Sequence, residues 1–141
     1  MRLVAWVVLA AGLLAGCDWF EDRTPEEVRV VIKGDAGKQV RLITSTRFVA
    51  AVNEIGQTRV VIFESDTTVI TLPHDRVYSL RGDPRFFAEA ARQDADFQSL
   101  RMEVYVDRRK EFDEGGPLTA GQPYRFLFTF NQQITREIVV I

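Results

Sequence analysis

The chain has 141 residues, 46% of them hydrophobic, and carries 18 basic against 20 acidic side chains for a formal net charge of −2. That balance excludes the strongly basic surface of a nucleic-acid-binding domain, and the length suits a single domain. With one cysteine and one histidine, the chain can form no internal disulfide and cannot assemble the three or four N/S ligands of a zinc site.

Arg2 precedes a charge-free apolar run over residues 3–14, which closes on Leu14-Ala15-Gly16-Cys17. The run is too short to cross a bilayer, which takes about 20 apolar residues, and Asp18, Glu21 and Asp22 follow it almost at once. A short basic start, an apolar stretch and a small-residue pair before a cleavage point make a secretory signal. The segment resembles the lipobox of bacterial lipoproteins. The resemblance implies that Leu14, Ala15 and Gly16 are the signal-peptidase recognition positions, with cleavage just before Cys17. The Cys17 sulfur would carry a diacylglyceryl group, and an acyl chain such as palmitate would cap the new N-terminus. In the enterobacterial members an aspartate after the lipidated cysteine retains the protein in the inner membrane. Asp18 matches that rule, which favours the inner membrane slightly over the outer.

Cleavage of residues 1–16 from 141 leaves 125, with 17 basic against 20 acidic groups and a net charge of −3. Such a chain has no polybasic cluster to grip anionic lipid, so the lipid on Cys17 would anchor it alone. Residues 17–27 read as a lipidated tether, charged and without apolar period. Trp19 and Phe20 are placed to lie among head groups. The folded domain is expected over residues 28–141.

From Val28 the apolar residues recur at every second position, the signature of half-buried strands. Val28, Val30 and Ile32 alternate with Arg29 and Lys33 before a turn at Gly34-Asp35-Ala36-Gly37. Val40 and Leu42 lead the next strand, and residues 47–52 form an apolar, ambiguous stretch. Residues 59–63 and 69–72 read as two strands separated at Ser65-Asp66. Residues 76–80 form a short one, ended by Arg81-Gly82-Asp83-Pro84. Residues 86–92 suit helix by propensity but strand by alternation, and strand is the reading adopted. Leu100, Met102, Val104 and Val106 then share one face. Residues 107–110 form a hairpin tip, and residues 115–123 a loop. Tyr124, Phe126, Phe128 and Phe130 place four rings opposite Arg125, Leu127 and Thr129, and residues 136–141 end the chain as a strand.

Eight or nine short strands separated by turns predict an all-β domain, an antiparallel immunoglobulin-like β-sandwich, with a small β-barrel as the alternative. A valine-rich first strand ending in glycine, Thr71-Leu72-Pro73 before a short strand, and Met102-Glu103-Val104-Tyr105-Val106-Asp107 at a hairpin resemble MmpS-type envelope proteins. Those are membrane-anchored β-sandwich accessory subunits of RND-type lipid exporters. The chain departs from them in lacking a cysteine pair, in carrying a lipobox in place of a transmembrane helix, and in having Arg108 where glycine is expected.

Candidate chemistry is sparse. His74 lies in an expected turn. Ser45, Ser65, Ser79 and Ser99 have no Gly-x-Ser-x-Gly context to activate a nucleophile. Asp94 and Asp96 resemble the start of a calcium loop without its glycine and distal glutamate. Glu111, Asp113 and Glu114 beside Arg108, Arg109 and Lys110 form a self-compensating hairpin tip. Arg81-Gly82-Asp83 is the tripeptide that integrins bind, here in an ordinary turn context. No catalytic, cofactor or metal residue is therefore expected. The expected function is that of a non-enzymatic, lipid-anchored cell-envelope protein facing the periplasm or exterior, which binds an envelope protein partner. The alternative is a carrier or sensor of an apolar ligand held between the sheets and lined by Tyr124, Phe126, Phe128 and Phe130.

Overall fold

The computed structural model describes residues 23–93, 99–117, 122–132 and 137–141. They form nine strands: β1 (Glu27–Gly34), β2 (Gln39–Val52), β3 (Thr58–Thr71), β4 (His74–Ser79), β5 (Arg85–Arg92), β6 (Leu100–Val106), β7 (Arg109–Gly116), β8 (Tyr124–Thr129) and β9 (Ile138–Val140). Two sheets pack face to face, β4-β1-β6-β7 and β8-β5-β2-β3-β9, giving the expected sandwich. Every pairing is antiparallel except β9 on β3, which is parallel.

The main core is the alternation made physical. Val28, Val30 and Ile32 from β1 and Leu100, Met102, Val104 and Val106 from β6 meet Val40, Leu42, Ile70, Phe86, Ala88, Ala90 and Phe126 from the facing sheet. At β5 the strand reading holds, and the structure shows why its alternation was weak. Residues 86–90 are buried on both faces, so Phe87 and Glu89 are as enclosed as Phe86, Ala88 and Ala90. A strand covered on two sides loses its polar half.

The second cover comes from the β2–β3 hairpin. The expected break at Ser65-Asp66 is absent; β3 runs on through both residues, and β2 absorbs residues 47–52. The pairing shifts instead. Thr44 faces Asp66, Arg47 faces Glu64 and Phe48 faces Ile62, so β2 gains one residue and then β3 gains Phe63. Each bulge flips the side-chain alternation and bends its strand. Before the bulges Leu42 and Ile70 point into the sandwich. After them Phe48, Ala50, Val60 and Ile62 point to the other face, where they join Phe87 and Leu127 in a second core with Ile43, Ile138 and Val140 packed against it. The five-stranded sheet thereby curls into a half-barrel, and the barrel alternative is partly realised inside the sandwich.

Three local readings change. Only Asp107 and Arg108 form the expected hairpin tip, since Arg109 and Lys110, with Gly115 and Gly116 of the expected loop, belong to β7, a strand whose charged sequence carries no apolar alternation. His74 opens β4 instead of lying in a turn, with Pro73 before it after a cis bond. The face of Tyr124, Phe126 and Phe128 does pack on the main core, but Phe128 is only half-buried and Phe130 lies beyond β8. On the opposite side Leu127 is buried in the second core, so that face is not the solvent face expected from Arg125 and Thr129.

Candidate interaction surface

Leu14, Ala15, Gly16, Cys17 and Asp18, with Trp19 and Phe20, lie outside the described residues, as do Asp94 and Asp96. The other candidates are dispersed. Ser45 is buried, its Oγ donating to the Glu64 carbonyl at 2.5 Å and accepting from the Arg47 amide at 3.0 Å. Its role is to hold the bulge. Ser79 Oγ accepts the Arg81 amide at 3.4 Å. His74 has its Nε2 buried without a hydrogen-bond partner, and burial, with Arg76 nearby, pushes its pKa down. Such an imidazole is neutral and packed. Among the described residues no group of three His, Cys, Asp or Glu side chains is placed to hold a metal ion.

In Arg81-Gly82-Asp83 the aspartate is occupied. Arg85 clamps both Asp83 oxygens at 2.7 and 2.9 Å and donates a further bond to the Phe48 carbonyl at 3.1 Å. The Arg85 hydrogen bonds hold the Asp83 carboxyl below its usual range. The tripeptide therefore fastens the β4–β5 turn to β2.

The acidic and basic residues of the β6–β7 hairpin do compensate one another, but through the sheet and not only at its tip. Asp113 receives Arg101 on both oxygens at 2.8 Å and Lys110 at 3.1 Å, and these bonds take its pKa down to about 2. Beside it Glu103 is buried on the outer face of β6. Burial alone would raise its pKa, but hydrogen bonds from Lys33 at 3.1 Å and from the Tyr105 hydroxyl at 3.0 Å outweigh that, so it is held low. Arg101 and Lys110 complete its shell at 3.3 and 3.8 Å. Arg29 forms a two-point pair with Asp75 on the same face. This face of the four-stranded sheet is an internally neutralised ion network.

The hairpin turn itself is strained. Asp107 and Arg108 have φ of 44° and 71°, the left-handed pair of a two-residue hairpin loop that favours Asn-Gly or Asp-Gly. Asp107 uses its position. Its Oδ1 accepts the Glu26 and Glu27 amides at 3.0 and 3.1 Å, fixing the segment that leads into β1.

What the structure leaves uncovered is the outside of the β2–β3 hairpin. Val49 and Val61 stand opposite each other, Phe63 is 68% exposed and Ile55 at the hairpin tip is 77% exposed. Because the bulges turned Phe48, Val60 and Ile62 inward, their neighbours were turned out. Grouped apolar side chains of this kind mark contact surfaces. The sequence could not reveal this patch, since residues 59–63 read equally well with either set inside. It also gave no sign of the ion pair between buried Glu89 and half-buried Arg125, because the signal lies in a cross-strand register.

No family model, curated protein or solved structure matches the chain.

Proposed function

We propose that this is a non-enzymatic, lipid-anchored protein of the bacterial envelope. Its domain is held close to the membrane through Cys17 and acts as a protein-binding or accessory module. The signal is Leu14-Ala15-Gly16-Cys17 behind a charge-free run, and Asp18 favours retention in the inner membrane. The resemblance to MmpS-type proteins points to the same accessory character. From Cys17 to Arg23 six residues span at most about 20 Å, which would keep the β1 end of the sandwich near the head groups.

The observation that carries the binding reading over the ligand-carrier reading is where the apolar side chains sit. Phe86, Phe126 and Met102 occupy the space between the sheets, and Phe48, Phe87 and Leu127 occupy the hollow of the curled sheet. Val49, Val61, Phe63 and Ile55 are turned outward. A carrier needs unfilled apolar volume of some 300 Å³ or more; a binding module needs exposed contact surface.

Metabolic labelling with a fatty-acid probe tests the anchor. Cys17→Ser should abolish labelling and leave an unprocessed species, and persistent labelling would overturn the lipoprotein reading. Mass spectrometry of the purified native protein tests the module. No stoichiometric non-covalent lipid is expected, and a retained one would favour the carrier.

A further inference from the structure

We propose that β3 is a self-association edge, through which two copies of the chain join their five-stranded sheets by antiparallel strand addition centred on Thr67. The argument starts from an unpaired backbone. On its outer side β3 is covered by β9 only at residues 58–60, by pairing to Ile138–Val140; among the described residues nothing pairs with that side from 61 to 71. Residues 63–69 are exposed at seven successive positions, so neither face of this stretch is covered by another layer.

The direction of the free groups follows from the hydrogen bonds. The Leu72 amide donates to the Lys38 carbonyl at 3.0 Å, on the β2 side. The pairing between β2 and β3 has no shift from Gln39↔Thr71 to Thr44↔Asp66. Backbone groups alternate sides along an antiparallel strand, so Asp66, Thr68 and Ile70 spend theirs on β2. Ser65, Thr67 and Val69 direct theirs outward.

An open edge of this length is an invitation to another strand. Natural edges carry lysine, proline, bulges or alternating charge to prevent it. The β7 edge is protected in this way, with Arg109, Lys110, Glu111, Asp113 and Glu114 on a strand whose pairing is bulged. Between Ser65 and Thr71 β3 has no lysine, no proline and no bulge, and its only charge is Asp66.

The occupant is a second copy because this edge is complementary to itself in one register. A two-fold axis normal to the sheet passes either through a hydrogen-bonded pair of outward-facing residues or through the non-bonded pair between them. Of the non-bonded centres, Asp66 would oppose two carboxylates, Ile70 would bring Pro73 opposite Thr67, and Thr68 would set Asp66 against Ile70, which has no donor. Centred on Ser65 the axis would set Glu64 opposite Asp66 of the second copy, a like-charge clash. Centred on Val69 it would bring Pro73, which has no N–H, opposite Ser65. Centred on Thr67 it sets Thr67 against Thr67, Ser65 against Val69 and Asp66 against Thr68, whose hydroxyl can donate to the carboxylate. Three outward pairs then exchange about six backbone hydrogen bonds. The association needs only the domain and is independent of the lipid anchor.

The test uses the full chain purified in detergent. Light scattering should give twice the protomer mass, which Thr67→Lys and Thr67→Glu each halve by opposing like charges across the axis. An equimolar mixture of the two variants should restore the doubled mass, a result that neither misfolding nor shared micelles would produce. In a Cys17→Ser background, Thr67→Cys should yield an oxidised dimer at least tenfold more than Arg59→Cys does, since directly opposed residues lie about 5.5 Å apart, within disulfide reach. A protomer mass for the unmutated chain, a dimer indifferent to both charges, or equal crosslinking at the two positions would each overturn the proposal.

Discussion

Glu89 on β5 and Arg125 on β8 stand directly opposite each other in register, and Arg125 Nε donates to Glu89 Oε2 at 2.7 Å inside the curl of the five-stranded sheet. Glu89 is buried, with Arg41 at 3.8 Å as a second cation. Arg125 also donates to the Ile138 carbonyl at 3.2 Å. One side chain thus neutralises an enclosed carboxylate and ties the first strand of the sheet to the last.

Removing Arg125 therefore strands a buried charge. Arg125→Ala should cost about 2–3 kcal/mol, well above the few tenths expected of a solvent-facing arginine. The double variant Glu89→Met/Arg125→Met should recover most of the loss, because it leaves no buried carboxylate, and Arg41, half-exposed, can be hydrated. Urea melts of the three proteins measure this; a single variant as stable as the unmutated protein would contradict the closure role.

Phe126 and Phe128 separate two depths of the main core. Phe126 is buried and stacks edge-on against Phe112 with ring centroids 5.7 Å apart. Phe126→Ala should cost about 3–5 kcal/mol. Phe128 is half-buried, so Phe128→Ala should cost about 2 kcal/mol, in proportion to the smaller area it withdraws from water. Equal losses by denaturant unfolding would mean that β8 packs evenly along its length.

Arg108 sits at φ 71° in the β6–β7 turn, where a side chain costs about 1–2 kcal/mol and glycine nothing. Arg108→Gly should raise stability by about 0.5–1 kcal/mol once the greater freedom of glycine in the unfolded chain is subtracted. Asp107→Ala should do the reverse, since the Glu26 and Glu27 amides lose their acceptor. Thermal unfolding with opposite shifts for the two variants is the expected result.

Acid should unfold the domain through its paired carboxylates. Asp113, at about 2, and Asp83 and Glu103 all have folded pKa values below their ordinary ones. Between about pH 4, where unfolded carboxyls titrate, and about pH 2 the unfolded chain binds more protons than the folded one. Stability is thus fully present above that window and falls through it on acidification. Asp113→Asn should flatten the decline, as read by urea midpoints from pH 5 to 2; superimposable acid limbs would remove Asp113 from the account.

The main core was legible because its physics is local. Val28, Val30, Ile32, Leu100, Met102 and Val104 alternate with polar residues along their own strands, and period two places each set on one face whatever the partner. The β4–β5 turn and the turn after β6 were visible for the same reason, from Gly82 and from the residues bounding Asp107, but β7 was not, because Arg109–Gly116 has no apolar alternation. The exposed patch and the Glu89–Arg125 pair were not, since each depends on which strands become neighbours.

By itself, then, the sequence determined the all-β, two-sheet class and the inward face of strands such as β1 and β6, because side-chain alternation within a strand is a property of the strand alone. It gave β3 as two strands and no strand over residues 109–116. Only the tertiary structure decided that the second sheet buries both of its faces. That outcome rests on two one-residue bulges in β2 and β3, whose effect on Phe48, Val60 and Phe63 appears only once the strands are paired. It also rests on the meeting of Thr58 with Ile138, a contact between distant segments that no local pattern encodes.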